Sequence, residues 1–346
     1  MPAGKQSVGV PSDLRSCVLE PLRIVSIGGG TGLSALLHGL KAWAGESRVA
    51  DLTAVVTVTD DGGSSGRLRR DFDVLPPGDI RSCMVALSED EALLSRLFQY
   101  RFRAGRGLKG HSFGNLFLMA LTHITGDFAL AVRTSSEILA SRGRIYPATA
   151  ENVTLVAELE SGALVRGETR ISRSRSRIRR IRLNPEVCEP LPATLEAIAN
   201  ADLITLGPGS LFTSIVPNLL VEGIAEAIRR SPAIKATYVN LMSQPGETSG
   251  LTAAEHLRAI DEHAGARVTD VAVINTAEIS EAMKKRYAAQ RAHPVVNDLD
   301  CIRELGVEVL GANLLEEGEK IRHDSRAAAA IAIDLARRGR AGKETT

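Results

Sequence analysis

The 346-residue sequence is poor in aromatic residues, in net charge and in long apolar runs. Phe, Trp and Tyr make up 3% of it, which leaves little material for the stacking surfaces that bind single-stranded nucleic acid. The formal net charge of +1 gives no global attraction to nucleic acid or to a membrane. No apolar run approaches the roughly 18–20 residues of a membrane-spanning helix. We therefore expect neither a nucleic-acid partner nor a membrane span.

The sequence also lacks paired cysteines and a secretory signal. Cys17, Cys83, Cys188 and Cys301 stand far apart and make none of the close pairs typical of metal sites. Cysteines spaced in this way are typical of free thiols in a reducing compartment. The first twenty residues have neither the basic start nor the apolar centre of a secretory signal. These observations predict a protein of the cytoplasm.

Strand-like and helix-like patterns alternate along most of the chain. Residues 22–27 and 51–59 are continuous apolar strand candidates, and residues 32–43 between them have leucines at helical spacing. Strands separated by helices of about 10–15 residues indicate parallel βαβ units. The sequence therefore predicts an α/β fold, with a doubly wound, mostly parallel, Rossmann-like sheet.

One domain is expected over residues 21–340, with tails at 1–20 and 341–346. Within it, two strand-like segments about a Ser-Gly turn predict an antiparallel β-hairpin. We expect this β insertion to cover about residues 151–183. Its stretch 170–182 holds seven arginines and alternates with serine. That stretch is expected to be a solvated edge strand, with an anionic partner as the alternative.

A glycine-rich loop follows the first predicted strand, in "IGGGTGLSA". Gly30, Gly32 and Ala35 match the G-x-G-x-x-A pattern of dinucleotide-binding proteins. The Lys-Ser/Thr pair of an ATP-binding P-loop is absent, which disfavours ordinary kinase or ATPase chemistry. A loop of this kind at the start of a helix binds phosphate well, because free N–H groups and the helix dipole point at the anion.

Two adjacent aspartates, Asp60 and Asp61, end the second predicted strand and precede "GGSSGR". Such carboxylates accept hydroxyls of a ribose or sugar, bind Mg²⁺, or cap a helix. Because neighbouring side chains of a strand face opposite ways, we expect one aspartate to contact a ligand and the other to hold the loop. Further along, Asp79 is expected to cap a helix and Arg81 to meet a phosphate.

Two more polar loops follow later in the chain, "GLKGHSFGN" and "LGPGSLFTS". Ser112 and Asn115 in the first, with backbone N–H groups, can hold an oxyanion or an amide. His111 is expected to serve as a hydrogen-bonding group, because no nucleophile motif accompanies it. Since the carboxyl ends of parallel strands meet at one edge of a sheet, all these loops can converge on one crevice.

Together these motifs resemble the YvcK-type gluconeogenesis-factor family of the CofD-like superfamily. The resemblance runs from about residue 22 to 338 and includes "IGGGTGLSALLHGLK", "DDGGSSGRLRRDFDVLPPGDIRSCMVALS", "GHSFGNLFLMALT", "LGPGSLFTSIVPNLLVEGI" and "QPGET". It implies a cytoplasmic regulatory protein that binds UDP-sugars, especially UDP-N-acetylglucosamine. It also implies a role in cell-wall precursor supply and in cell shape on gluconeogenic carbon sources. The implied partners include the enzyme that makes glucosamine 6-phosphate, glucosamine-6-phosphate synthase.

The same resemblance assigns roles near the C-terminus. Tyr287 would pack against the uracil or the sugar, and Arg322 would pair with the diphosphate. Ser325 occupies the family's hydroxyl position, where a phosphate would change the local charge by about −2. No cofactor is expected to be required, Mg²⁺ and a homo-oligomeric state are left open, and no catalytic activity is implied.

The leading expectation is a nucleotide-sugar sensor, because the motifs assemble no nucleophile, base pair or metal cage. The alternative is a CofD-type transferase that uses a nucleotide-diphosphate donor with Mg²⁺. A NAD(P)-dependent oxidoreductase is the third possibility. It is less favoured because Asp60 follows Gly32 by 28 residues, whereas the acidic residue of a NAD-binding unit follows the glycines by about 20. The expected ligand-binding residues are Gly28, Gly29, Gly30, Thr31, Gly32, Asp60, Asp61, Gly62, Ser64, Ser65, Arg67, Asp79, Arg81, His111, Ser112, Asn115, Gly207, Gly209, Ser210, Tyr287 and Arg322.

Overall fold

The computed structural model describes residues 20–44, 50–88, 93–174 and 176–344. It confirms the predicted α/β class: seven parallel strands form one sheet flanked by helices, and a small antiparallel sheet is inserted. The tail predicted at residues 1–20 lies, except for its last residue, outside the described part of the chain.

The strands are β1 Leu22–Gly28, β2 Ala50–Val56, β3 Arg144–Pro147, β4 Thr154–Leu159, β5 Leu164–Arg166, β6 Ile178–Asn184, β7 Leu203–Leu206, β8 Ile234–Tyr238, β9 Val271–Asn275, β10 Glu308–Ala312, β11 Leu315–Glu317 and β12 Ile321–His323. The helices are α1 Gly30–Ala44, α2 Gly63–Phe72, α3 Gly78–Leu87, α4 Leu93–Gln99, α5 Phe113–Thr125, α6 Phe128–Ile138, α7 Glu168–Ile171, α8 Pro192–Asn200, α9 Val216–Leu219, α10 Ile224–Arg230, α11 Ala253–Ala264, α12 Glu281–Ala288, α13 Leu299–Glu304 and α14 Ser325–Glu344. A π-helical turn, Leu211–Ile215, leads into α9.

The large sheet has the strand order β10-β9-β8-β7-β1-β2-β3. The chain first builds outward from β1 through β2 and β3, and after the insertion it places β7 on the other side of β1. The direction of growth therefore reverses between β1 and β7. At such a switch point the two following loops turn away from each other, which opens a crevice at the carboxyl edge of the sheet.

The core lies between the sheet and its helices. In β1, every residue except Arg23 is buried, as expected for a parallel strand covered on both faces. The predicted helical spacing is also confirmed, because Leu33, Leu36, Leu37 and Leu40 of α1 are all fully buried. Each buried leucine contributes about 1.5–3 kcal/mol through removal of apolar surface from water.

Helix α14 packs closely on α1 and extends further than its sequence pattern indicates. A Cβ atom on Gly39 of α1 would lie 1.9 Å from the carbonyl oxygen of Ser325, so only glycine allows this approach. The expected C-terminal tail begins at residue 341, yet α14 continues to Glu344. Its last turns are held because Arg340 and Lys343 both pair with the buried Asp202.

The insertion contains the predicted hairpin and a third strand. β4 pairs antiparallel with β5 across the Ser-Gly turn, and β6 pairs with the other edge of β4. The arginine-rich stretch is an edge strand only in part, since residues 178–182 belong to β6. Its start lies in α7 and in the turn that follows, because Gly167 and Glu168 close a short helical turn there.

Among the described residues, no single helix has the length and apolar character needed to cross a membrane. One pair of segments, Leu211–Leu219 and Ile224–Arg230, meets these criteria only when both are taken together, and they are bent by 78° relative to each other.

Candidate functional site

A cleft of about 400 Å³ opens at the switch point, between the loops that follow β1 and β7. Its lining combines five segments that are distant in sequence: residues 29–35, 208–214, 240–245, 287–292 and 321–323. Asp79 and Glu168 complete one end. As predicted, the glycine-rich loops after β1 and β7 therefore meet at one crevice.

The loop between β1 and α1 presents backbone groups to the cleft. Gly29, Gly30, Thr31 and Gly32 all line it, and the first turn of α1 contains no acidic residue. The positive end of the helix dipole thus lies at the cleft, where the Gly30 N–H already contacts the Asp79 carboxyl group and the following N–H groups can act on a bound anion. Gly30 has a φ of +63°, a left-handed conformation that glycine adopts without strain.

The loop after β7 lies directly against the first one. A Cβ atom on Gly32 would be 2.4 Å from the carbonyl oxygen of Pro208, so the two loops touch through backbone atoms. Gly209 and Ser210 line the cleft beside this contact. The Ser210 hydroxyl accepts a hydrogen bond of 2.8 Å from Nε2 of Gln244, which connects the loop to the segment after β8. The result is a cradle of closely packed loops.

The far wall carries the aromatic and basic groups. Tyr287 of α12 lines the cleft, and its hydroxyl accepts a hydrogen bond of 2.9 Å from the backbone N–H of Ile321. This bond holds the tyrosine beside β12, which also places the exposed Arg322 at the cleft. Arg322 forms no ion pair within the described part of the chain, so its guanidinium is available to an anionic ligand.

The neighbouring His323 is neutral and buried. Burial lowers its pKa to about 4, although a hydrogen bond with the carbonyl oxygen of Val239 at 3.2 Å opposes this change. His323 therefore stays uncharged at neutral pH and leaves Arg322 as the cation of this wall.

Two carboxyl groups form the acidic end of the cleft. Burial raises the pKa of Asp79 to about 7, with a further contribution from the charge of Asp60, while the backbone N–H of Gly30 opposes the change. Burial also raises the pKa of Glu168 to about 9, with added repulsion from Asp60, Asp79, Glu247 and Asp61. Glu168 is thus protonated at neutral pH. A neutral carboxyl group both donates and accepts hydrogen bonds, which suits hydroxyl and amide groups of a ligand.

Asp60 and Asp61, the two aspartates of the "DDGGSSGR" loop, do not line the cleft. Asp60 accepts a hydrogen bond of 2.8 Å from the N–H of Gly62. Asp61 accepts bonds from the backbone N–H and the hydroxyl of Thr169, at 2.8 and 2.6 Å. Asp61 therefore fastens the insertion to the start of α2, the loop-holding role expected for one of the pair. Ligand contact by Asp60 stays a prediction.

The remaining polar residues of that loop and of "GLKGHSFGN" form contacts between helices. Ser64 Oγ lies 3.0 Å from Nδ1 of the buried His111. Arg81 donates to the Asn115 carbonyl oxygen at 2.9 Å, and the Asn115 amide lies 3.4 Å from Ser65 Oγ. The predicted residues outside the lining of the cleft are Gly28, Asp60, Asp61, Gly62, Ser64, Ser65, Arg67, Arg81, His111, Ser112, Asn115 and Gly207.

Several lining residues were missed by sequence reasoning. Glu168 enters from the insertion, where no local pattern distinguishes it from other surface carboxylates. Gln244 opens the "QPGET" motif, to which the sequence alone assigns no role, although the position of this motif after β8 is a usable signal. Its neighbour Glu247 is buried behind the cleft and accepts hydrogen bonds from Ser172 and Thr213 at 3.0 and 3.3 Å.

Among the described residues, no group of three or more His, Cys, Asp or Glu side chains has an arrangement that could hold a metal ion. The carboxylates around the acidic end are spread over α3, α7 and the loop before α2.

Comparison with known proteins gives concordant results. Residues 24–315 match the family described as 2-phospho-L-lactate transferase CofD. The gluconeogenesis factor of Bacillus subtilis is 46% identical over 314 residues, covering 90% of this chain and 98% of that protein. The gluconeogenesis factor of Halalkalibacterium halodurans is 47% identical over 308 residues, covering 89% and 94%. A crystal structure of a UPF0052 family member from Bacillus halodurans has a TM-score of 0.87 at 45% identity and covers 91% of this chain and all of that one.

Proposed function

Because this chain belongs to the gluconeogenesis factor family and has a CofD-like domain, we propose that its cleft binds a nucleotide sugar of the UDP type. UDP-N-acetylglucosamine is the first ligand to test. The observation that carries this proposal is the composition of the cleft. Backbone cradles for phosphate, a free arginine, an aromatic ring and two carboxyl groups, of which Glu168 is neutral at neutral pH, lie around one space of about 400 Å³.

Each part of a nucleotide sugar has a suitable counterpart in this arrangement. The diphosphate would lie at the start of α1 and against Gly209, where N–H groups and the helix dipole favour anions. Arg322 would pair with it through two parallel hydrogen bonds. Tyr287 would pack against the uracil or the sugar. Asp79 and Glu168 would accept and donate hydrogen bonds at the polar end of the ligand.

A regulatory role is proposed over a catalytic one. The described lining brings together no serine or cysteine with a histidine base, because His323 is turned to the carbonyl oxygen of Val239. We propose that the ligand-bound protein acts in the cytoplasm by contacting other proteins, including the enzyme that makes glucosamine 6-phosphate. Its output would support cell-wall precursor supply and cell shape on gluconeogenic carbon sources.

One observation favours a second candidate, a transferase that uses a nucleotide-diphosphate donor with Mg²⁺. The pKa of Asp79, raised to about 7, is suited to proton transfer at neutral pH. In that case Asp79 would accept a proton from an attacking hydroxyl. The two candidates differ in whether the nucleotide is consumed.

A thermal-unfolding panel tests the proposal. Purified protein would be heated with UDP-N-acetylglucosamine, UDP-glucose, GDP, NAD or NADH, each with and without Mg²⁺, and the nucleotide recovered afterwards by chromatography. A ligand at 100 times its dissociation constant adds about 2.7 kcal/mol, which raises Tm by several degrees. Selective stabilisation by UDP-sugars recovered intact would support the sensor. Mg²⁺-dependent consumption would support the transferase, and stabilisation by NAD or NADH alone would reject both.

A further inference from the structure

A second cavity, of about 840 Å³, lies between α2 and the inserted sheet. It borders the cleft through α7, since Glu168 lines the cleft while its neighbours Thr169 and Arg170 line the second cavity. Two aspartates, Asp61 and Asp73, are part of its lining. Five arginines outnumber them: Arg69, Arg70, Arg166, Arg170 and Arg173. The cavity is therefore basic, in a chain whose net charge is close to zero.

The ion-pairing of these arginines differs from that of their neighbours in the insertion. Within the described residues, none of the five forms an ion pair, whereas Arg179 and Arg182 of the same insertion both pair with Glu158. Arg69 is the most enclosed of the five: it donates to the Val153 carbonyl oxygen and, at 3.1 Å, to Thr154 Oγ1, while its Nη1 atom has no hydrogen-bond partner among the described residues. The other four arginines are exposed, so their guanidinium donors are open to the cavity that they line.

The pKa of Arg69 agrees with this geometry. Burial lowers it from its ordinary value, and the charges of Asp61, Asp60 and Asp73 oppose that change only in part. The two aspartates of the lining are already engaged by other donors. Asp61 accepts from Thr169, and Asp73 accepts from the Asn152 amide at 3.0 Å.

The start of α2 adds a second feature that favours an anion. Gly62, Gly63 and Gly66 line the cavity, so the N-terminal end of this ten-residue helix borders it. Gly62 provides no side-chain cap, and the first turn contains no acidic residue. The free N–H groups and the positive end of the helix dipole are thus directed at the same space as the arginines.

We propose that this basic cavity binds a small molecule that carries at least two phosphate groups, at a site separate from the nucleotide-sugar cleft. Arginine forks match phosphate oxygens in pairs, and the arginines come from α2, from β5 and from α7 with the turn after it. One phosphate group satisfies only part of this set. A ligand with two or more phosphates offers paired oxygens to more of these arginines than one phosphate does. This site does not depend on what the cleft binds.

Isothermal titration calorimetry with inorganic pyrophosphate tests the site, on the full chain at low and at moderate salt. The cavity variant combines Arg170→Ala and Arg173→Ala, both exposed side chains whose loss leaves the core intact. The matched control combines Arg179→Ala and Arg180→Ala, two exposed arginines of β6 outside the cavity. A third protein, Arg322→Ala, reports on the cleft. Thermal unfolding of each variant verifies that it is folded.

The proposal predicts a pyrophosphate-binding step in the wild type that is at least roughly tenfold weaker in the cavity variant, since each lost charge-assisted hydrogen bond contributes a factor of this size. The same step stays within about twofold in the β6 control and in Arg322→Ala, and it weakens as salt rises. Absence of any binding at millimolar pyrophosphate overturns the proposal. So does binding that Arg322→Ala abolishes and the cavity variant leaves unchanged.

Discussion

The raised pKa of Glu168 predicts that replacing this residue with glutamine stabilises the protein, and more so as pH increases. In an unfolded chain a glutamic acid loses its proton near pH 4.3. In the folded protein the pKa of Glu168 is raised to about 9, because burial and nearby carboxylates disfavour its charge. Between these two values the folded state holds a proton that the unfolded state has released. Stability therefore falls as pH rises through this window, and Glu168→Gln removes that dependence.

The size of the effect follows from proton linkage. A single proton that is bound in the folded state and released in the unfolded state lowers the free energy of unfolding by about 1.4 kcal/mol per pH unit. Between pH 5.5 and 7.5 the full effect is about 2.7 kcal/mol, and solvent screening at the partly exposed side chain reduces this to about 1–2 kcal/mol. Asp79 contributes in the same direction up to about pH 7, so the variant retains part of the pH dependence.

Urea unfolding at pH 5.5 and 7.5, followed by circular dichroism, measures this effect. The difference in unfolding free energy between Glu168→Gln and the wild type should grow by about 1–2 kcal/mol from the lower to the higher pH. Glu160→Gln, at an exposed position of the same insertion, is the matched control and should show a constant difference. A difference for Glu168→Gln that is equal at both pH values would refute the protonated state of this carboxyl group.

Two glycine substitutions test the packing that forms the cleft. Gly32→Ala would put a Cβ atom 2.4 Å from the Pro208 carbonyl oxygen, so we expect the two loops to separate and UDP-sugar binding to fall by at least roughly tenfold in calorimetry. Gly39→Ala would meet the Ser325 carbonyl oxygen at 1.9 Å, and it should lower the free energy of unfolding by about 3 kcal/mol in urea titrations. Gly318→Ala, which meets no atom within 4 Å, is the control for both, and wild-type behaviour of either variant would contradict the packing described.

The sequence allows the sheet and the position of the cleft to be predicted because both depend on local patterns. Leucine spacing in α1 and the continuous apolar run of β1 define which faces are buried. Glycines after β1 and β7 indicate phosphate-binding loops, and parallel strands bring such loops to one edge. For the same reason, the sequence alone assigns Gly32 and Gly209 to one site.

The parts that could not be predicted depend on contacts between distant segments. Glu168 reaches the cleft because Asp61 fastens Thr169, and this pairing joins residues 108 positions apart. His111 and Ser64 belong to polar-looking loops, yet they hydrogen-bond to each other between α2 and α5. The end of α14 is likewise determined by Asp202, whose partners lie about 140 residues further along. None of these pairings leaves a periodic signal.

The central claim is that this cleft binds a UDP-sugar through Arg322, and calorimetric titration with UDP-N-acetylglucosamine tests it most directly. The wild type is predicted to bind one molecule per chain. Arg322→Ala should weaken binding by at least roughly tenfold, because the guanidinium provides paired, charge-assisted hydrogen bonds to the diphosphate. Arg326→Ala, at an exposed position of α14 outside the lining, should bind like the wild type. No binding by the wild type, or equal affinity in Arg322→Ala, would contradict the claim.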